Sequence, residues 1–253
     1  MAKPNLALIP TTIGTKVYSV LPSDGDGDFA FGRSTVATRV NSLGLIEEVP
    51  SAHNRLNYDL LDGKVYGCPN LLLEPQRTNI NQFNSDINTA WNQVANLTNS
   101  LNEDVLAPDG TLNGWKSSRN INTSGYTYMT ALSLAVNTEY TVSLWLKAND
   151  LTKCNQIRLT FHPNSFVSVT STLDFETESM SSIGKLEKYP NGWYRVSLSG
   201  TTNATIGYFD IGLQPYLNGS SNWGGQDGDV MFYAYGTQVE AGSYPTSYIK
   251  TTG

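Results

Sequence analysis

Between about Asn84 and Glu240 the chain is written in short segments where apolar and polar residues alternate, set apart by turn-forming clusters. No stretch of helical length repeats its apolar residues every three or four positions. A period of two sends successive side chains to opposite faces of a pleated strand, so these segments bury a coherent face only as parts of a sheet. In Tyr140 to Lys147, for example, Tyr140, Val142, Leu144 and Leu146 point one way and Thr141, Ser143, Trp145 and Lys147 the other. The expectation is one core face and one wet face. Ile157, Leu159 and Phe161 alternate in the same way with Gln156, Arg158 and Thr160, and Val167 to Phe175 continues the pattern. Trp193 to Ser199 sets Tyr194, Val196 and Leu198 against Trp193, Arg195 and Ser197, and Ile206 to Leu213 and Asp229 to Val239 complete the series. The breaks at Pro163-Asn164, Pro190-Asn191-Gly192 and Asn218 to Asn222 are turn chemistry. Strands this short at this spacing form an antiparallel sandwich, so the chain is read as all-β.

Residues 1 to about 80 read differently and form a candidate module of their own, ending at an Asn-rich junction over Thr78 to Asn84. Ile13 to Val20 is expected as one strand. Thr38 to Glu48 reads as a short hairpin around Asn41-Ser42 and Gly44, and a second hairpin lies between Pro50 and Pro69 with Asp62-Gly63 at its turn. Ser23 to Asp28 alternates Asp and Gly and is a turn-forming string. An EF-hand calcium loop would need Gly and Glu where this chain has Phe29 and Thr35, so that match fails.

Composition narrows the function. Lys and Arg number 16 against 22 Asp and Glu, a net charge of −6, which leaves no cationic excess for a phosphate backbone and argues against a nucleic-acid partner. Only 15% of residues are charged, while Ser, Thr and Asn together supply 74, so the surface is mainly hydroxyl and amide. Leu71 to Leu73 and Ala131 to Val136 fall far short of the roughly 18 apolar residues of a membrane span. The first residues do not read as a secretion signal, which makes the Asn-X-Ser/Thr sequons by-products of composition. Cys68 and Cys154, without a CxxC pair, are expected to be reduced and structural. His53 and His162 sit in no motif and are expected in turns. Gly-x-Ser-x-Gly, HExxH and P-loop signatures are all missing, which points to a non-enzyme. Asp174, Glu176 and Glu178 alternate and are expected to line one strand face as a solvated acidic edge.

Three stretches carry a more specific likeness: Asp28 to Asn41 followed by Gly44 to Glu48, Cys68 to Asn79 (Cys-Pro-Asn-Leu-Leu-Leu-Glu-Pro-Gln-Arg-Thr-Asn), and Tyr235 to Ile249 together with Tyr140 to Ala148 and Asn191 to Val196. The first two resemble an N-terminal region of tailed-bacteriophage virion appendage and fibre proteins. The third is similar to the jelly-roll modules, related to carbohydrate-binding modules, found in the same proteins. The resemblance implies residues 1–80 as a virion-attachment module and residues 81–253 as a jelly-roll, carbohydrate-binding-like domain. It implies a virion protein assembled in the host cytoplasm, with other virion proteins and host surface polysaccharide as partners. A homo-oligomer, a trimer for preference, would let weak sugar contacts act together. It also implies a structural calcium between Asp86 and Asp229, and no other cofactor.

Sugar recognition needs aromatic faces for stacking and polar groups for hydroxyls. Five residues are candidates: Trp145, which shares its face with Lys147; Trp193 and Arg195 on one face; Tyr208, which shares its face with Asp210; and Trp223 in the glycine-rich loop Asn222 to Gln226. The alternative is that these aromatics pack beneath the N-terminal module or in a subunit interface. Two further functions stay open at this point: a polysaccharide depolymerase whose carboxylates come from distant strands, and a purely architectural decoration subunit.

Overall fold

The computed structural model describes residues 7–13, 16–21, 29–30, 32–81, 91–94, 96–120, 124–129, 134–162, 169–202, 210–221 and 226–251. Among these there are nineteen strands, one 3₁₀ turn at Pro190–Gly192 and no α-helix. The N-terminal part holds β1 (Ala7–Ile13), β2 (Lys16–Leu21) and β3 (Phe29–Ala30), then β4 (Ala37–Val40) with β5 (Ile46–Val49), and β6 (Leu56–Leu61) with β7 (Lys64–Leu71). The remainder runs β8 (Trp91–Val94), β9 (Leu97–Leu101), β10 (Trp115–Arg119), β11 (Tyr126–Met129), β12 (Glu139–Ala148), β13 (Gln156–His162), β14 (Val169–Asp174), β15 (Ser179–Met180), β16 (Lys185–Tyr189), β17 (Trp193–Thr201), β18 (Asp210–Tyr216) and β19 (Val230–Ala241).

Two six-stranded antiparallel sheets form the jelly-roll sandwich. Sheet one has the order β16-β17-β12-β19-β10-β9 and sheet two the order β15-β14-β13-β18-β11-β8. Their inner faces interdigitate. Val142, Leu144 and Leu146 of β12, Val196 and Leu198 of β17, and Phe232, Ala234 and Val239 of β19 pack against Ile157, Leu159 and Phe161 of β13, Leu173 of β14, and Ile211 and Leu213 of β18. Each of the larger side chains, taken fully out of water, contributes about 1.5–3 kcal/mol, which makes this layer the main source of stability.

The hairpins at 37–49 and 56–71 form as expected, the second with Asp62 and Gly63 at positive φ in its turn. Ile13 to Val20 is not one strand: β1 ends at Ile13 and β2 begins at Lys16, and the two pair antiparallel. β14 is described from Val169 and β18 from Asp210, and the residues expected to begin these strands, 167–168 and 206–209, lie outside the described residues. His53 lies at a turn closed by its N–H on Pro50 O, whereas His162 ends β13. The Asp-Gly string at 23–28 lies outside the described residues.

One expectation fails in an instructive way. Strand β12 has no wet face, because every residue from Tyr140 to Leu146 is buried. The outer face of sheet one is covered by a second apolar cluster that joins Val40 and Ile46 of the first hairpin, Ala107, and the sheet's own Trp145, Tyr189, Trp193, Tyr233 and Tyr235 with Tyr248. Residues 32–81, the loop at 102–112 and the segment at 243–251 together lie over this face like a roof.

Candidate functional site

The roofed face holds three of the residues expected to contact sugar. Trp145 is 0% exposed, Trp193 1% and Arg195 6%. Trp145 is ringed edge-on by Tyr189, Tyr235 and Tyr248 at centroid distances of 5.5, 5.9 and 5.4 Å, and the Arg195 guanidinium lies 4.6 Å from its ring centroid. A bulge in β19 makes room for this packing: the register slips between Ser143 and Trp145, and Gly236 takes φ +63 where a Cβ would come within 3.0 Å of the Trp145 ring. Trp193 donates its indole N–H to Leu106 O at 2.9 Å, and Arg195 donates to Thr246 O at 2.6 Å and Ser143 Oγ at 3.2 Å. With all three buried, their rings packed, and Trp193 and Arg195 hydrogen-bonded inside the protein, they stabilise the roof and present no face to a ligand. Tyr208 and Trp223 lie outside the described residues.

The same face explains the two distinctive stretches of sequence, because they grip each other. Glu74 accepts from Arg55 Nη1 at 2.8 Å and from the Ser247 N–H and hydroxyl at 2.8 and 2.7 Å. Asn79 accepts the Val239 N–H at 2.9 Å and donates to Ile249 O at 3.1 Å. Arg77 lies against Gly242, whose φ of +134 and missing Cβ admit the guanidinium, and sits 5.5 Å from the Tyr244 ring. Glu240, fully buried, accepts the Thr246 N–H at 2.6 Å and its hydroxyl at 2.9 Å and is also bonded to Gln238. The wording of 71–79 and 235–249 is therefore that of a clasp closing the roof onto sheet one.

The acidic candidates are likewise engaged. Asp174 ends β14, while Glu176 and Glu178 lie in the following turn, so the three do not share a strand face. Burial pushes the Asp174 carboxyl up, but the Gln156 amide and the Thr177 and Glu176 N–H groups outweigh it and hold the acid below its usual range. Glu178 pairs with Lys188 Nζ at 2.6 Å and accepts the Tyr194 hydroxyl at 2.7 Å. Asp229 has Lys153 Nζ 2.8 Å from Oδ1 and the Gln226 N–H on Oδ2. Asp86 is outside the described residues, so of the expected calcium pair only Asp229, with the Lys153 ammonium beside it, is described. No cluster of three or more metal-binding side chain types occurs among the described residues, and none of their helices is long and apolar enough to cross a membrane. Both cysteines are free, Cys154 buried in the core and Cys68 exposed.

Sheet two presents the opposite case. Its outward residues remain partly exposed, and no described strand outside the sandwich pairs with it. Register places them in rows: Tyr128, Gly212, Thr160 and Thr170 lie side by side across β11, β18, β13 and β14, and the next row carries Gln214, Arg158 and Thr172. Tyr126, 45% exposed, has its ring 6.0 Å from that of Tyr128. Farther along, Tyr216 lies opposite Gln156, which donates to Asp174 at 2.6 Å. Arg158 donates to Gln214 Oε1 at 2.5 Å and stacks 5.2 Å from the Tyr216 ring centroid. A Cβ added at Gly212 would meet only Thr160 Cβ, at 3.9 Å, so the face dips there between Tyr128 and Thr160. Rings, amides, hydroxyls and one guanidinium on a partly exposed face form the arrangement that sugar recognition requires. None of these residues was among the five candidates read from the sequence. The usable signal was Tyr126 and Tyr128 flanking Thr127, in register with the polar set of Gln156, Arg158 and Thr160.

No protein-family model matches the chain, and no curated protein does. Solved structures with some likeness include TmCBM61 in complex with β-1,4-galactotriose, 9% identical with a TM-score of 0.39, covering 64% of this chain and 97% of that one. Another is the enzymatically active domain of Bacteriophage CBA120 tailspike protein 4, 11% identical with a TM-score of 0.39, covering 63% of this chain and 20% of that one. A third comes from carbohydrate-binding modules of the β-sandwich superfamily, 10% identical with a TM-score of 0.41, covering 92% and 96%. At such values no residue of one chain can be equated with a residue of the other.

Proposed function

We propose that this chain is a non-catalytic component of a tailed-phage virion that displays sheet two toward the host surface and binds glycan there. The observation that carries the glycan reading is the open array of Tyr126, Tyr128, Arg158, Gln214 and Tyr216. The virion reading is supported by the likeness of residues 28–48, 68–79 and 235–249 to phage appendage proteins. Within the attachment module of residues 1–80, the docking part is the β1-β2-β3 sheet, since residues 32–81 are already committed to the roof. A trimeric assembly brings several sheet-two faces to bear on one polysaccharide, so that weak single contacts add up.

The test has two arms. Mass spectrometry and density maps of intact particles should contain the chain. The purified protein should be retained on host surface polysaccharide without generating new reducing ends, and Tyr128→Ala should weaken retention about tenfold, equivalent to about 1.4 kcal/mol. Particles lacking the chain contradict the virion reading. Shortened polysaccharide contradicts the non-catalytic one, and unchanged retention by Tyr128→Ala contradicts the assignment of the face.

A further inference from the structure

We infer that the glycan taken by sheet two is acidic, with a sugar carboxylate meeting the guanidinium of Arg158. The inference rests on the glycan-binding reading above and adds to it the charge of the ligand. Six cations of the described residues face a carboxylate closely, Arg39 with Glu47, Arg55 with Glu74, Lys116 with Asp104, Lys153 with Asp229, Lys188 with Glu178, and Lys250 with Glu48, and Arg195 has Glu187 at 3.9 Å. Arg158 has none among them. Its protein acceptor is a neutral amide oxygen, Gln214 Oε1, and that oxygen also takes the Tyr216 hydroxyl at 3.1 Å. Its Nε is covered and has no acceptor. The nearest acid in the lattice, Asp174, lies one row away on β14 and is saturated by Gln156 and by the N–H groups of Glu176 at 3.0 Å and Thr177 at 2.9 Å.

The guanidinium is thus held in place by an amide and an aromatic ring, neither of which neutralises it. Nη1 and the second hydrogen of Nη2 are left for a ligand. Arginine offers such a pair as a planar fork matched to the two oxygens of a carboxylate, and charge-assisted bonds of this kind are about twice as strong as neutral ones. Thr172 and Thr160 flank Arg158 with hydroxyls, Gln214 lies opposite it on the β11 side, and the dip at Gly212 lies one row along, between Thr160 and Tyr128. By strand spacing and rise, Tyr128 and Arg158 stand roughly 12 Å apart along the diagonal. One sugar ring can stack on the tyrosines while a neighbouring uronate reaches the arginine. In a chain of net charge −6 an acidic polymer is repelled in general, so a local, unneutralised cation decides which acidic glycan is accepted.

The test is affinity electrophoresis of the full chain in polygalacturonate, alginate and hyaluronan, in the carboxyl-reduced neutral form of each, and in a neutral set of galactan, mannan and dextran. We expect at least one acidic polymer to retard the protein about tenfold more strongly than its reduced form, with the preference falling as salt rises from about 0.02 to 0.2 M. Arg158→Gln should abolish the preference and Arg158→Lys keep part of it, both with wild-type circular dichroism. Equal retardation by acidic and reduced forms, or a preference that Arg158→Gln leaves intact, overturns the inference and leaves glycan binding standing. Retardation by neutral polymers alone does the same, and retardation by nothing in the panel overturns both.

Discussion

The outer faces of sheet one and sheet two are written in similar residues, aromatics and an arginine alternating with a buried set, yet one lies beneath a roof and the other is open. Trp145, Trp193 and Arg195 on sheet one and Tyr128, Arg158 and Tyr216 on sheet two occupy comparable positions relative to the core. On the first face Trp145 meets the rings of Tyr189, Tyr235 and Tyr248, and Arg195 hydrogen-bonds Thr246 O and Ser143. On the second, Arg158 keeps part of its fork unused. Strand alternation reports which residues leave the core and is silent on what covers them afterwards.

Substitutions on the two faces should therefore separate stability from binding. Trp145→Ala should have the largest effect, removing a fully buried indole from the Tyr189, Tyr235 and Tyr248 ring cluster at a cost of about 3–5 kcal/mol in denaturant unfolding. An effect below about 1 kcal/mol would mean that the roof is not packed as described. Glu74→Ala should cost about 3 kcal/mol, because it strands the buried Arg55 guanidinium, and it should open residues 32–81 to limited proteolysis. Replacing both partners, Arg55→Met with Glu74→Leu, should cost less than the single change.

Alkaline pH should also act on the roof. Burial, partly offset by Arg195, pushes the Tyr189 hydroxyl up to about 12 from an ordinary value near 10. A raised pKa means the folded state holds this proton more tightly than the unfolded chain does. The corresponding stability is complete below about pH 10 and is lost as pH rises through 12, on the order of 2–3 kcal/mol. Tyr189→Phe should remove that part of the alkaline loss in unfolding measured by circular dichroism. The smallest stability effects belong to sheet two, where Tyr128→Ala and Arg158→Gln should change unfolding by less than about 0.5 kcal/mol while reducing glycan retention.

The sandwich itself was legible, because the inner-face alternation of β12, β13, β17 and β19 is dictated by burial and survives any choice of partner. The two N-terminal hairpins were legible from Asn, Asp and Gly at their turns. The roof was read only as the alternative in which the tryptophans pack beneath the N-terminal module, since its contacts, such as Thr38 with Tyr248 O and Asn79 with Val239, join residues more than 150 apart, for which no local pattern exists. One clue was nonetheless present: with Trp145, Trp193, Tyr233 and Tyr235 opposite its core face, sheet one is too aromatic on that side to stand in water uncovered. On sheet two the aromatics are tyrosines, spaced by Thr, Gln and Gly, which suits a face that stays wet.

Hydrogen–deuterium exchange of the full chain, with and without a glycan that retards it, tests the contrast between the two faces most directly. Exchange should slow in β11, β13 and β18, centred on Tyr128, Arg158 and Gln214, with β12, β17 and the roof unchanged. Protection confined to β12, β17 or residues 32–81, with sheet two unaffected, would contradict it.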